Sequence, residues 1–172
     1  IKLEDGGPIF YRQQRITTFG RVFRIFKFRT MVMNADKMGP LVTQDNDSRI
    51  TKIGRKIRSF RLDEVPQLIN VLIGDMSFVG TRPEVQKYVD AYSEEMMVTL
   101  LLPAGITSKS SIEFRNEADK ISKWMEQGLT ADEAYIQKIL PEKMQYNIDY
   151  IEEVSVAQDI KVMLQTVFAV LR

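Results

Sequence analysis

The segment over residues 57–83 constrains the fold more than any other part of this chain. Its apolar residues recur at helical spacing and predict one face that packs inward, made of Leu62, Val65, Leu68, Ile69 and Leu72. A proline at position 66 is tolerated only in a first turn, where its missing N–H has no partner within the helix. We therefore expect a helix that begins near residues 62–64 and ends near Gly74.

Two adjacent carboxylates, Asp63 and Glu64, fall in the first turn of this helix. Anionic groups there lie at the positive end of the helix dipole and stay ionised. Acidic first turns are common, so the pair could do no more than cap the helix. However, the chain has no Cys and no His, which excludes disulfides, zinc–thiolate sites and nucleophile systems built on either residue. The carboxylate pair is therefore a stronger candidate for proton transfer or nucleophilic attack.

Three motifs, in this order along the chain, carry a resemblance to a known family. They are GGPIFYRQQRITTFGRVFRIFKFRTM (6–31), DNDSRITKIGRKIR (45–58) and LDEVPQLINVLIGDMSFVGTRP (62–83). Together they resemble the catalytic domain of the bacterial sugar transferases, the monotopic polyprenyl-phosphate phosphoglycosyl transferases. After Leu102 the resemblance weakens, and SKSSIEFRNEADKISKW stands where the family has an Ala-Gln-Val-Asn-Gly-Arg segment. This departure concerns recognition of the sugar or the acceptor more than the chemistry.

The resemblance implies a transferase that moves a phosphosugar from a UDP-sugar to a polyprenyl phosphate such as undecaprenyl phosphate. Asp63 would attack the β-phosphorus, expel UMP and hold the sugar in a covalent aspartyl-phosphosugar. A polyprenyl-phosphate oxygen would then attack that intermediate. Glu64, the second catalytic residue, is the implied ligand of Mg²⁺. Such a reaction initiates assembly of bacterial glycoconjugates, for example capsule, exopolysaccharide, O-antigen or glycoprotein.

Basic residues inside these motifs are expected to bind the phosphates of the substrate. The predicted set is Arg12, Arg15, Lys27, Arg29, Arg58 and Arg82. Arginine has the shape for bidentate contact with phosphate. Residues 1–61 carry 14 Lys and Arg against 5 Asp and Glu, a net charge of +9, whereas residues 62–172 have a net charge of −8. This asymmetry suits phosphates or anionic lipid headgroups. Ordinary surface charge paired with the acidic half is the alternative.

Several features bear on membrane contact. No stretch reaches the ~18–20 apolar residues that a membrane span needs. The resemblance implies a re-entrant helix in the inner leaflet, upstream of Ile1 and absent from this chain, and therefore a place at the cytoplasmic face of the bacterial inner membrane. A cationic amphipathic helix is predicted over residues 49–60. An apolar C-terminal stripe could pack on the core or touch a membrane or partner, and its members are Val156, Ile160, Met163, Leu164, Val167, Val170 and Leu171.

The remaining pattern predicts a single α/β (α+β) domain over residues 1–172, mostly helical, with a small antiparallel sheet near the N-terminus. Two β-rich runs, residues 8–16 and 22–30, predict a hairpin. A polar loop over residues 41–48 follows, in which Asp47 or Ser48 could cap the next helix. A short strand is expected at 77–79. Thr130 and Glu133 fit a capping box at the start of a later helix.

A non-catalytic module on the same fold is the alternative function. The basic half would then dock anionic lipid or a partner, with steep salt dependence and no release of UMP. Nucleic acid is not expected, because the basic residues lie in sugar-transferase-like motifs and no RNA-binding signature is present. The identity of the sugar, the polyprenol and the oligomeric state, including a homo-oligomer, stay open.

Overall fold

An antiparallel hairpin near the N-terminus forms one side of the molecule. The structure, a computed structural model, describes residues 1–43 and 47–171. Strand β1 (Phe10–Ile16) pairs with β2 (Val22–Phe28), with Phe10 opposite Phe28 and Ile16 opposite Val22. Alternate side chains of β2 are buried, and Phe23 and Ile25 pack against Met76. The predicted hairpin is therefore confirmed, with strands slightly shorter than the β-rich runs.

The described part of the chain is mostly helical, and its architecture confirms the predicted α+β class. The helices are α1 (Lys2–Asp5), α2 (Lys52–Ser59), α3 (Gln67–Leu72), α4 (Gln86–Val89), α5 (Glu94–Met97), α6 (Lys109–Glu113), α7 (Glu117–Met125), α8 (Ala131–Ala134), α9 (Leu140–Glu152) and α10 (Val156–Leu171). Turns of 3₁₀-helix lie at Thr18–Gly20, Ala35–Lys37, Leu62–Glu64 and Val98–Leu101, and a π-helical turn at Tyr135–Ile139 leads into α9. The capping box of Thr130 and Glu133 is present at the start of α8.

A second, two-stranded sheet joins the middle of the chain to its C-terminal half. Strand β3 (Ser77–Val79) was expected, but its parallel partner β4 (Gly105–Thr107) was not. The two strands come very close where β3 ends, since a Cβ placed on Gly105 would lie 2.2 Å from the backbone nitrogen of Gly80. Only glycine permits this approach.

The largest hydrophobic core belongs to the C-terminal half. Its most buried members are Tyr88, Ile121, Ala134, Tyr135, Ile139, Leu140 and Met144, each at most 2% exposed. These residues belong to α4, α7, α8, α9 and the π-helical turn before α9, so this part of the core is built from residues that follow the three motifs in the chain.

Helix α2 begins later than predicted and has a different cap. Thr51 is the N-cap, and its hydroxyl accepts a hydrogen bond from the Gly54 N–H at 3.0 Å. Neither Asp47 nor Ser48 caps it. The Asp47 carboxylate is held instead by the Arg49 guanidinium, at 2.6 Å from Nη2, so it is not free to reach the helix. The loop residues Asp45 and Asn46 lie outside the described residues.

The apolar face predicted around the carboxylates is present, but it does not pack inward. Leu62, Val65, Leu68, Ile69 and Leu72 are between 39% and 85% exposed. The inward prediction is therefore wrong, because helical periodicity shows which residues share a face and not what covers that face. The residues that turn inward are polar: Asp63, Glu64, Gln67 and Asn70 are each at most 9% exposed.

Asn70 gives one physical reason for this orientation. Its side-chain oxygen accepts a hydrogen bond from the Phe26 N–H at 2.8 Å, and its amide nitrogen donates to the Arg24 carbonyl at 3.1 Å. The amide thus satisfies backbone groups on the edge of β2 that would otherwise lack a strand partner. Helix α3 ends at Leu72, close to Gly74 as predicted, and Gly74 has a positive φ of 81°. The predicted start is wrong, because α3 begins at Gln67 and the carboxylates lie on the separate 3₁₀ turn Leu62–Glu64.

The C-terminal helix α10 packs by a narrower face than its apolar stripe. Val162 is buried with Val79 and Tyr150, and Met163 lies against them. Other members of the stripe are exposed, namely Val156, Ile160, Leu164 and Val167. The side chain of Leu171 lies outside the described part of the structure. Among the described helices, none has both the length and the apolar character needed to cross a bilayer.

Candidate active site

A cavity of about 640 Å³ lies between the hairpin, the Leu62–Glu64 turn and the helices of the C-terminal half. Both predicted catalytic carboxylates border it. So do all the predicted basic residues, Arg12, Arg15, Lys27, Arg29, Arg58 and Arg82. The three motifs, separate in sequence, therefore contribute to one concave surface.

Glu64 is the centre of a cluster of positive charge. Its Oε1 accepts hydrogen bonds from Arg82 Nη2 at 2.5 Å and from Lys27 Nζ at 3.2 Å. The Arg61 guanidinium approaches its Oε2 to 3.8 Å. Burial alone would raise the pKa of Glu64, but the charges of Arg82, Lys27 and Arg61 outweigh it and hold the pKa well below its usual value. Glu64 is therefore a fixed anion that orders the surrounding cations.

The buried position of Lys27 in this cluster disfavours its charged form. Burial lowers its pKa from 10.5 to about 8, although the neighbouring Glu64 carboxylate acts in the opposite direction. Its ammonium is consequently close to its titration point near neutral pH, unlike an exposed lysine. Arg82 stays protonated to higher pH than Lys27, because the Glu64 carboxylate raises the pKa of Arg82 above its usual value.

Asp63 is placed differently from its neighbour. The residue is 7% exposed, and within the described residues no group donates a hydrogen bond to its carboxylate. The turn that carries it starts at Arg61, a non-glycine residue in the left-handed region with φ 53°. Strained backbone of this kind concentrates at functional sites. Glu64 is bonded within the cation cluster, while Asp63 borders the cavity with oxygens that no described residue contacts by a hydrogen bond.

Two of the predicted phosphate binders carry a positive charge that no described carboxylate neutralises. Arg58 donates to the hydroxyls of Thr43 at 3.0 Å and Thr30 at 3.5 Å, and it has no carboxylate partner in the described structure. The Arg12 guanidinium lies 4.0 Å from the centre of the Phe26 ring, which leaves its edge open. Cations that the protein does not neutralise suit an anionic ligand in the cavity.

The other two arginines are committed to the fold. Arg29 donates to the Pro8 carbonyl at 2.7 Å and forms a two-pronged ion pair with Asp5, which fastens the N-terminal segment to the end of β2. Arg15 donates to the Pro83 carbonyl at 3.2 Å and so supports the chain just after Arg82. The structure brings both residues to the cavity wall but neither to the carboxylates. Their contact with phosphate stays a prediction.

Residues outside the predicted set complete the site. Arg61 joins the Glu64 cluster. Its spacing of three residues from Glu64 could have predicted this contact, because residues three apart are neighbours on a helix. Glu84, Glu117 and Lys143 border the cavity on the side of the C-terminal core. Lys143 lies 59 residues after its partner Glu84, so no local pattern pointed to their contact.

The donor set fits Mg²⁺ only as a site shared with substrate. In residues 1–43 and 47–171, no group of three or more acidic residues is assembled to hold a metal ion. Mg²⁺ usually takes one or two carboxylates and completes its shell with substrate phosphates and water. Glu64 Oε2 accepts no hydrogen bond from a described residue, with Arg61 at 3.8 Å from it, and the oxygens of Asp63 likewise accept from no described residue. Three carboxylate oxygens, Glu64 Oε2 and both oxygens of Asp63, therefore accept no hydrogen bond within the described residues.

Comparison with known proteins points in one direction. The family model described as "Bacterial sugar transferase" matches residues 1–172. The chain is 34% identical over 174 residues to the UDP-N-acetylgalactosamine-undecaprenyl-phosphate N-acetylgalactosaminephosphotransferase of Aeromonas hydrophila, which covers 99% of this chain and 37% of that protein. It is 36% identical over 173 residues to the UDP-glucose:undecaprenyl-phosphate glucose-1-phosphate transferase of Escherichia coli, covering 98% of this chain and 34% of that protein. The UDP-glucose:undecaprenyl-phosphate glucose-1-phosphate transferase of Caulobacter vibrioides is 35% identical over 170 residues, which cover 97% of this chain and 58% of that protein. The chain therefore spans only part of the length of these relatives.

Proposed function

This chain belongs to the bacterial sugar transferase family, and on that premise we propose that it transfers a sugar phosphate from a UDP-sugar to undecaprenyl phosphate and releases UMP. The relatives carry this activity in their names. One observation of the structure supports it above all. The Asp63 carboxylate, which accepts no hydrogen bond from any described residue, lies beside Glu64, whose Oε1 accepts from Arg82 and Lys27, on the wall of one cavity. That arrangement suits attack on a phosphorus atom.

The proposed reaction has two displacements at the same phosphorus. An Asp63 oxygen forms a bond to the β-phosphorus of the UDP-sugar, the bond from that phosphorus to the bridging oxygen breaks, and UMP leaves with the electron pair. An oxygen of undecaprenyl phosphate then attacks the phosphorus, and the Asp63 carboxylate leaves unchanged. The product is an undecaprenyl diphosphosugar, the first lipid-linked unit of a bacterial glycoconjugate.

Charge neutralisation is the main task of the surrounding residues. A carboxylate and a pyrophosphate repel each other, so attack requires fixed positive charge near the equatorial oxygens. Lys27, Arg61 and Arg82, ordered by Glu64, would supply it at the reacting phosphorus, and Arg58 at the rest of the pyrophosphate. Glu64 would hold Mg²⁺ together with substrate phosphates, and the ion would add further charge neutralisation.

The direct test is the release of UMP. The chain would be incubated with undecaprenyl phosphate in lipid vesicles and with UDP-glucose, UDP-galactose, UDP-N-acetylglucosamine or UDP-N-acetylgalactosamine in turn. We expect release of UMP, not UDP, from at least one of them, together with a labelled sugar in the lipid fraction. Release of UDP, or of no nucleotide from any donor, would contradict the proposal. Steep salt-dependent lipid binding without turnover would favour the non-catalytic alternative.

The titration of Lys27 predicts an alkaline limit to activity. Because its pKa is about 8, the ammonium loses its proton as the pH rises through that value. We expect kcat/KM, which reports the free enzyme, to fall about tenfold per pH unit above about 8. Lys27→Arg keeps its charge at these pH values and should move the falling limb upward by at least one pH unit. An unchanged profile in Lys27→Arg would assign the limb to another group.

We further propose that the exposed apolar face of Leu62, Val65, Leu68, Ile69, Leu72 and Ile73 rests on the cytoplasmic surface of the bacterial inner membrane. The acceptor is a polyprenyl lipid, and this face begins next to Asp63, where the lipid phosphate has to arrive. Exposed Lys52, Arg55 and Lys56 on the neighbouring helix α2 complement anionic headgroups. Large exposed apolar surface of this kind marks membrane or protein contact.

Charged residues on this face should release the chain from lipid. Leu68 is 42% and Leu72 85% exposed, so Leu68→Glu with Leu72→Glu should leave the fold intact. Each leucine forfeits about 1.5–3 kcal/mol of burial in the bilayer, which predicts at least about tenfold weaker binding to vesicles that contain phosphatidylglycerol. The matched control is Met97→Glu on α5, an exposed apolar residue outside this face. Equal binding of the double variant and wild type in a vesicle sedimentation assay would exclude the face.

A further inference from the structure

A second polar cluster borders the cavity on the side of the C-terminal core. Lys143 is 3% exposed, and its ammonium lies 2.7 Å from Glu117 Oε2, 2.9 Å from the Tyr135 hydroxyl and 3.5 Å from Glu84 Oε1. Tyr135 in turn donates its hydroxyl proton to Glu84. The proposed chemistry uses none of these residues. The buried Lys143 ammonium, with three oxygen partners, holds the members of this cluster in one geometry.

Glu117 is the member of this cluster that the cavity can reach. Its side chain is 30% exposed, compared with 4% for Lys143 and 6% for Glu84. Lys143 occupies Oε2, whereas no donor in the described part of the chain reaches Oε1. Glu117 therefore offers one oriented acceptor to the cavity, and the buried ammonium fixes the direction of that acceptor.

The charge of Glu117 decides what it can bind. A carboxylate repels phosphate oxygens but accepts strong hydrogen bonds from neutral hydroxyl groups. Glu117 and Arg82 border the same cavity, and Arg82 belongs to the cation cluster around Glu64. The acceptor thus shares a cavity with the cations proposed to face the reacting phosphorus, and the neutral group attached to that phosphorus is the hexose.

We infer that Glu117, oriented by Lys143, accepts a hydrogen bond from a hexose hydroxyl of the UDP-sugar and helps to select the sugar. This inference rests on the proposed function. Glu117 is the first residue of α7, within the segment where the sequence departs from the family pattern. Because Glu117 lies on the cavity wall, this departure would change the part of the wall that contacts the sugar, whereas the carboxylates and cations of the motifs are retained.

The test compares sugars rather than total activity. Values of kcat/KM would be measured for the four UDP-sugars with wild type and Glu117→Gln. Glu117→Gln removes the charge while keeping the shape. The ratio between the best donor and its C4 epimer should change about tenfold or more, the effect of losing one charge-assisted hydrogen bond. Inhibition by UMP, which has no hexose, should stay within about twofold of wild type.

Controls separate this role from a structural one. Glu113→Gln on α6 makes the same chemical change on an exposed residue and should leave the donor ratios unchanged. If Glu117→Gln does not fold, Glu117→Asp keeps the partner of Lys143 but withdraws the acceptor, and it should shift the ratios in the same way. An equal loss for all donors, or a parallel weakening of UMP inhibition, would overturn the inference in favour of a structural or ribose contact. Wild type that releases no UMP would instead refute the proposed function itself.

Discussion

Asp63→Asn should abolish UMP release while the protein stays folded. Asparagine has the same shape, but its amide oxygen is a far weaker nucleophile toward phosphorus. We expect the rate to fall at least about 10³-fold, as removal of a nucleophile does in other covalent enzymes. Stability should change by less than about 1 kcal/mol, because the carboxylate accepts no hydrogen bond from any described residue.

Two measurements together test the role of Asp63. Without acceptor, wild type incubated with its UDP-sugar should gain the mass of one phosphohexose, and peptide mapping should assign it to Asp63. Asp63→Asn should gain nothing. Asp90→Asn, an exposed residue at the end of α4, is the matched control and should behave as wild type. If Asp63→Asn turned over at more than a tenth of the wild-type rate, the covalent route through this residue would be wrong.

Arg82→Met should have the second largest effect, on both activity and stability. Of the three cations around Glu64, Arg82 makes the shortest contact, at 2.5 Å, and its loss leaves that buried carboxylate with Lys27 and the more distant Arg61. We expect about 10²–10³-fold lower activity, since a preorganised cation is removed from the reacting phosphorus. The free energy of unfolding should fall by about 1–3 kcal/mol at neutral pH.

The stability effect of Arg82→Met should depend on pH in a defined direction. Glu64 has a folded-state pKa below its usual value of 4.5, so its ion pairs stabilise the fold above that pH and lose their effect as the pH falls below it. The difference between wild type and variant, measured by denaturant unfolding, should therefore shrink in acid. Arg82→Lys should restore part of the activity, because it returns the charge but not the planar guanidinium that donates to Glu64 Oε1. Arg24→Met, an exposed arginine on β2, is the control. Equal losses in both Met variants would argue against a specific role for Arg82.

The sequence could predict the hairpin and the chemistry-bearing motifs because both have local signals. Two β-rich runs indicated β1 and β2, and the motif residues Asp63, Glu64, Lys27 and Arg82 do share one cavity. The error over Leu62 to Leu72 has a different origin. Periodicity identifies a shared face, but whether protein or lipid covers that face depends on the partner, which the sequence of the helix does not contain.

Polar contacts between residues far apart in the chain could not be predicted from the sequence either. Lys143 meets Glu84 and Glu117 across 59 and 26 residues, and nothing in the spacing of these residues indicates a pair. The same holds for Arg29, which the motif indicated as a phosphate binder and the structure commits to Asp5. Motif position brought it to the cavity wall, but only three-dimensional packing decided which anion it meets.

The Asn70 side chain has a consequence for how this domain folds. The Phe26 amide, on the edge of β2, finds its acceptor in a side chain 44 positions further along the chain. Until α3 docks, the hairpin therefore has an open edge, and a two-stranded hairpin alone is only marginally stable in water. Docking of α3 supplies the partners for that edge, and the turn that carries Asp63 and Glu64 lies just before α3 in the chain. The position of the two carboxylates is thus linked through Asn70 to the backbone of β2.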